Sequence, residues 1–415
     1  MKYGNILAAL IQALSVVVLL MGVRFGKVFI NTITVLKIVV VFFIIIAGFV
    51  AIDSDNLTPF VPERAEVDGK LAFGTQGIIT GATQAFFGYI GFDEVCCLAA
   101  EAKNPKKVMP IAVISVVFGT MALSALSSLV LSGMVPYLNA TSFPEGFEGV
   151  GWHWAAKIVR AGETITMPVV VLIAFLAQPR LNYALACDGL MPAIFAKVDG
   201  YGNLFVNTMI TGTFFTIVAF VVPFITLWDI VNFGILLSFI VSNASLLMIR
   251  TKEASPVLAP KLVTGMVGFA LLTAFFYQQG YKDHDSTVCL VISIVTLVGL
   301  VGCTIALAVK CPQAPNDPAN FSAPLVPFIP MFCILANFYL ISQISHLGLA
   351  LGCGWVGLGI FFYVMYGFKH AAGRTGWSEL MRYHLPSMDH QDNFAPMLTM
   401  NEVRPSMSSL IKEKL

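Results

Sequence analysis

Long apolar runs, nearly free of charge, constrain this chain more than any other feature. A soluble helix or strand hides one face and shows the other to water, so its apolar residues recur with a period of 3.6 or 2. A run of about 20 apolar residues has no polar face, and it matches the length an α-helix needs to cross a hydrocarbon core of roughly 30 Å. On that measure about eleven candidate spans follow one another. They cover 5–23, 28–52, 74–99, 108–137, 161–188, 205–224, 226–249, 262–278, 288–309, 324–345 and 347–368. Hydrophobic residues make up 57% of the chain and charged residues 11%, too little charge to coat a soluble surface of this size. The expected fold is an all-α membrane protein, a polytopic helical bundle. The first run lacks a small-residue cleavage site and is followed by Arg24 and Lys27, so it reads as an anchor and not as a cleaved signal peptide.

Charge placement suggests an orientation. Lys and Arg concentrate in the loops that retain them on the cytoplasmic side. If the first span ends in the cytoplasm, that side receives Arg24, Lys27, Lys103, Lys106, Lys107, Arg180, Lys197, Arg250, Lys252, Lys261 and Lys310. The opposite side receives only Lys2, Arg64, Lys70, Lys157, Arg160 and Lys282. This predicts an outside N-terminus and an inside C-terminus. Two loops agree: residues 53–70 read as an external loop, and Asn139-Ala140-Thr141 is a glycosylation sequon that falls outside. The polar tail from Lys369 reads as solvated. A formal net charge of +1 provides no field to attract nucleic acid, so the expected partners are the lipid bilayer and a small molecule. The eight cysteines are scattered without metal spacing and read as packing residues.

The stretch 74–110 carries the chemistry. Gly74, Gly77, Gly81, Gly88 and Gly91 crowd one span, although glycine costs about 1 kcal/mol in a helix interior. Gly77 and Gly81 have the spacing of a helix-packing face. Around Gly88 and Gly91, aromatic residues and the acids Asp93 and Glu94 gather instead. A break there would free backbone N–H and C=O groups deep in the membrane, the device with which transporters hold the charged ends of small substrates. Lys37, near the middle of the second span, is the other conspicuous residue. A lysine at that depth costs roughly 2.5–3.5 kcal/mol on insertion scales.

The residues Gly91-Phe92-Asp93-Glu94, followed by Glu101-Ala102-Lys103-Asn104-Pro105-Lys106-Lys107-Val108-Met109-Pro110, resemble the sixth helix and following loop of the amino acid–polyamine–organocation superfamily, closest to its cationic amino acid transporter branch. Pro179-Arg180 with Tyr183-Ala184 and 187–192 resembles the end of the family's eighth helix. The stretch 227–250, with Asp229, Gly234 and Leu236-Leu237, resembles its tenth. Pro324, Pro327 and Pro330 with Asn337 and Tyr339-Leu340 resemble the thirteenth of the fourteen-helix branch. On this likeness residues 1–52 correspond to helices four and five, 53–73 to an extracellular loop and 74–250 to helices six to ten. Residues 251–368 correspond to four C-terminal helices and 369–415 to a cytoplasmic tail. The family's first three helices have no counterpart, so the resemblance implies an N-terminally truncated chain with an incomplete five-plus-five inverted repeat. Restoring three helices would also bring the N-terminus inside.

The same resemblance implies roles. Phe87 would close over substrate from outside. Gly88 and Ile90 would present backbone groups to the substrate amine, and Gly91 would complete the unwound turn. Asp93 would lie on the cytoplasmic half of the broken helix in a structural or proton-coupling role. Lys37 matches a lysine of proton-coupled bacterial members and lies eleven residues before Gly48. Many animal cationic transporters carry an uncharged residue there, so Lys37 departs from the closest branch. The implied function is secondary transport of amino acids, cationic ones such as arginine, lysine and ornithine, by alternating access with a proton-linked step. The alternative is a non-transporting short isoform or regulatory partner. The expected location is the plasma membrane, with a vacuolar or other endomembrane as the alternative. An enzyme would need an intramembrane acid–base or metal constellation. His153, His284, His346, His370, His384 and His390 fall instead in loops, at span edges or in the tail, so no metal, cofactor or catalytic group is expected. A channel would need a repeated filter segment or charge ring, and none is legible.

Overall fold

The computed structural model describes residues 5–21, 26–63, 65–67, 70–89, 91–97, 104–136, 142–199, 203–251, 255–282, 284–313 and 321–371. The expected sites Ile90 and Asn139, and the tail beyond Ala371, lie outside these. Helices dominate. Seven of those described are long and apolar enough to cross a membrane, and three shorter apolar helices accompany them. The broken segment 74–97 completes the set, so each expected run coincides with helix. One departure from an all-helical chain is a small antiparallel hairpin, β1 (Ala65–Val67) on β2 (Lys70–Ala72), in the loop before the break.

The first half contributes α1 (Ile6–Leu20), α2 (Gly26–Val50), α5 (Pro105–Met134), α6 (Phe143–Gly149), α7 (His153–Cys187) and α8 (Phe205–Val221). Between α2 and α5 come the two short helices of the break, α3 (Gly74–Ala85) and α4 (Phe92–Cys97). With water absent from a bilayer core, helices gain little from apolar burial against one another and associate through close packing of small residues. That is visible here: Gly162 of α7 receives Val40 of α2, Gly212 of α8 receives Val16 of α1, and Gly48 of α2 receives Val130 of α5. Any larger side chain at these three points would overlap its neighbour. The core of this half holds Ile44, Val130, Phe147 and Val159, with Phe147 fully buried. Its rim is aromatic, Trp152 stacking on both Phe147 and Trp154 at 6.5 and 6.0 Å between ring centroids.

α7 starts at His153 and not at 161. Its first turns carry Lys157 and Arg160, which the apolar criterion left out, and they are held by the aromatic rim and by the Arg160–Glu148 ion pair at 2.7 Å. Further along, Pro179 lies inside the helix, and a buried polar network gathers at its carbonyl. Asn207 of α8 donates to Pro179 O at 2.8 Å and to Phe195 O at 2.9 Å. Asn182 Nδ2 donates to Thr211 Oγ1 at 3.0 Å, and Gln178 donates to Asn182 Oδ1 at 3.1 Å.

The second half packs α9 (Phe224–Thr251), α10 (Leu258–Phe275), α11 (Thr287–Lys310), α12 (Phe328–Ser342) and α13 (His346–Phe362) around a separate core. Leu236, Leu247, Met266, Leu300, Leu307 and Ile334 are among its fully buried members. Where α10 meets α11, hydroxyls replace apolar packing: Thr273 donates to Thr296 at 2.9 Å, and Ser293 donates to Thr273 O at 3.1 Å. Such interhelical bonds hold spans together where lipid offers no competing partner.

Candidate functional site

The α-helical ladder stops at Ala85 and resumes at Phe92. Between them Phe86–Tyr89 form a single 3-10 turn, and Gly91 takes φ +115°. A residue with a Cβ rarely adopts that conformation, so the position requires glycine. The consequence is local and chemical. The regular α-helical hydrogen-bond pattern is therefore interrupted about midway along the segment 74–97, between the carbonyl end of α3 and the amide end of α4. Crowded glycines could instead serve close helix packing, but a Cβ built on Gly81, Gly88 or Gly91 would meet no described atom within 4 Å. These glycines therefore loosen the helix without seating a described neighbour.

Phe239 of α9 holds the two sides of the break. Its ring lies 6.1 Å from Phe86, edge to face, and 5.2 Å from Phe92. Phe86 is the first residue past α3 and Phe92 the first of α4, so one aromatic side chain bridges the interruption. Phe86 also packs against the core of the second half. α5 and α7 border the segment from the other half. The break thus lies between the two cores.

The expected site residues fall as follows. Phe87 sits in the 3-10 turn and Asp93 in α4, both described in their backbone alone. Gly88 is exposed in that turn, and Gly91 supplies the unusual backbone angle. Lys37 is exposed on α2 and does not enter either core. It continues the stripe of Val40 and Ile44 that faces α7, but one turn beyond its covered part. Among the described residues no group of three or more His, Cys, Asp or Glu could hold a metal ion.

Sequence reasoning missed two residues of α9. Phe239 carries no signal within an apolar run. Asn232, seven residues earlier and so on nearly the same helix face, is 3% exposed, and its side-chain oxygen has no hydrogen-bond partner among the described residues. Its signal was an amide inside an apolar run, which calls for a partner.

Comparison with known proteins accords with this architecture. The family model described as "Amino acid permease" matches residues 3–298, and that for the C-terminus of such permeases matches residues 321–371. A methylthioribose transporter of Bacillus subtilis (strain 168) is 36% identical over 60% of this chain and 53% of its own length. Cationic amino acid transporter 1 of Arabidopsis thaliana is 28% identical over 84% of this chain and 57% of its own length. The branched-chain amino acid permease BcaP of Bacillus subtilis (strain 168) is 24% identical over 85% of this chain and 62% of its own. The chain thus spans between about half and two thirds of the length of these relatives. With helices that run the depth of a bilayer and a match across most of its length, the chain belongs to the amino acid permease family of multi-pass membrane transporters.

Proposed function

We propose that this chain forms the core of a secondary transporter of amino acids, that its substrates are cationic, and that transport proceeds by alternating access around residues 86–91. The observation that carries this reading is the interrupted helix in a membrane permease. Backbone groups without helical partners are tolerated at membrane depth only where they line a protein-enclosed or watered cavity. There they can hold the carboxylate and ammonium of a zwitterion. The preference for cations has a physical basis in the same place. The carbonyl end of α3 carries the negative end of its dipole, and Asp93 and Glu94 follow in the first turn of α4. On this reading Gly88 and Ile90 meet the substrate amine and Phe87 closes over it. The name of the Arabidopsis relative agrees with a cationic substrate; those of the two Bacillus proteins name other solutes.

Phe239 gives the movement a fulcrum, because α4 cannot tilt without carrying or releasing that ring. Lys37 is the proposed coupling group. Its charge at mid-span is costly unless a partner or a proton exchange relieves it.

The test is uptake of radiolabelled arginine into proteoliposomes, with unlabelled lysine, ornithine, leucine and methylthioribose as competitors. Lysine and ornithine should compete, and leucine and methylthioribose should not. Competition by leucine or methylthioribose alone overturns the cationic assignment. Lack of saturable arginine uptake overturns transport of cationic amino acids by this chain. Phe239→Ala should slow maximal uptake with little change in half-saturation. Lys37→Met should remove stimulation by an imposed proton gradient.

A further inference from the structure

Between α9 and α10 the surface opens into an apolar groove of about 610 Å³. On α9, Val241, Ser245 and Ile249 form its rim at four-residue spacing, and Thr264 of α10 stands opposite. Ala244 leaves the groove its depth, and the buried side chains of Ile240 and Val263 close its floor. The rim faces away from the protein, with Val241 57% and Ile249 73% exposed. From Ile240 to Ile249 the groove follows the helix for about 13 Å, close to the hydrocarbon depth of one leaflet, roughly half of 30 Å.

The groove ends at the basic end of the helix pair. Arg250 follows Ile249 directly, in the last turn of α9. Lys261 lies three residues before Thr264 on α10, hence on the same face one turn lower, and it is exposed. The distribution of Lys and Arg assigns this end to the cytoplasm, where the leaflet is anionic. None of the residues lining the groove is acidic. A protein helix seated here would therefore bury apolar surface beside a lysine for which the groove offers no counter-charge. A phospholipid satisfies both features together, its chain taking the apolar trough and its phosphate the amine at the mouth.

We propose that this groove binds an anionic phospholipid of the inner leaflet, with one acyl chain against Ala244 and the phosphate at Lys261. The site is independent of the substrate pathway and needs no transport assay. The full chain, purified in detergent, is mixed with phosphatidylglycerol or phosphatidylcholine of identical acyl chains, and retained lipid is counted by native mass spectrometry. Phosphatidylglycerol should be retained preferentially. Lys261→Gln should lower its occupancy about fivefold, the loss of roughly one lysine's attraction to an anionic surface. Ala244→Phe should reduce retention of both lipids. Should that variant fail to fold, Ser245→Trp fills the groove from its exposed rim and serves the same purpose. Equal retention of the two lipids by the unsubstituted chain overturns the proposal, as does unchanged phosphatidylglycerol retention in the filled variant. Disulfide dimers formed efficiently through Ser245→Cys would overturn it too, by showing the groove covered by a second copy.

Discussion

The Ser345 hydroxyl donates a hydrogen bond to Asp229 Oδ2, joining the start of α13 to the first turns of α9. Ser345 Oγ in turn accepts the Gly348 N–H at 3.1 Å and so caps α13. The seam continues one turn on, where Gly352 lies against the Phe233 ring and a Cβ would come within 2.5 Å of it. Gly348 and Gly352 are four residues apart, the small-residue spacing that lets membrane helices approach closely.

This seam makes the first prediction. Gly352→Val should lower the thermal unfolding midpoint in detergent far more than Ser345→Ala, which removes a cap worth about 1 kcal/mol. A Gly352→Val midpoint equal to that of the unsubstituted chain would show that α13 does not dock on Phe233.

At the break, Gly91→Ala places a Cβ on a backbone at φ +115°. No described atom crowds it, so the penalty is conformational, of order 1–3 kcal/mol. We expect arginine uptake to fall at least tenfold while the protein remains folded by size-exclusion chromatography. Wild-type uptake in this variant would argue that the backbone there has no part in transport.

Asn207 is the centre of the buried network beneath Pro179. Asn207→Leu removes its hydrogen bonds to the carbonyls of Pro179 and Phe195 and the acceptor of Thr211, each bond contributing about 0.5–1.5 kcal/mol. A loss of at least about 2 kcal/mol is expected in denaturant titration.

Asn232 should behave in the opposite sense. Its buried oxygen has no partner among the described residues, so Asn232→Leu, similar in volume, removes a desolvated polar atom and should stabilise the protein by about 1 kcal/mol. If uptake is lost at the same time, the amide serves the substrate or a moving helix; if stability falls instead, the oxygen has a partner in the folded protein.

Asn139 tests the orientation. In a eukaryotic host with glycosylation machinery, the chain should shift in mobility on glycosidase treatment, and Asn139→Gln should abolish the shift. A chain lacking the glycan, with its C-terminus accessible from outside, reverses the assigned topology.

Much of the architecture was legible before any coordinates. The apolar runs located the helices, since a segment without a polar face has only lipid or a buried core in which to lie. The crowded glycines around 88–91 located the interruption, because glycine weakens a helix wherever it stands. Lys37 was legible as an anomaly, but its exposure was not. Val40 and Ile44, on the same stripe, are covered by α7 and its neighbours, and nothing along the chain reveals where that cover ends.

Sequence by itself therefore determined which segments are helical, where one of them breaks and which residues are anomalous at membrane depth. These follow from transfer free energies and local backbone preferences, which each segment carries alone. Only the tertiary structure decided that Phe239 bridges the break, that Asn207 supplies donors to Pro179 and Phe195, and that α9 and α10 part to leave a groove above Lys261. Those relations depend on how each helix is rotated about its own axis. In a chain apolar on nearly every face, that rotation is set by steric fit between small and large side chains and not by any pattern along one strand of sequence.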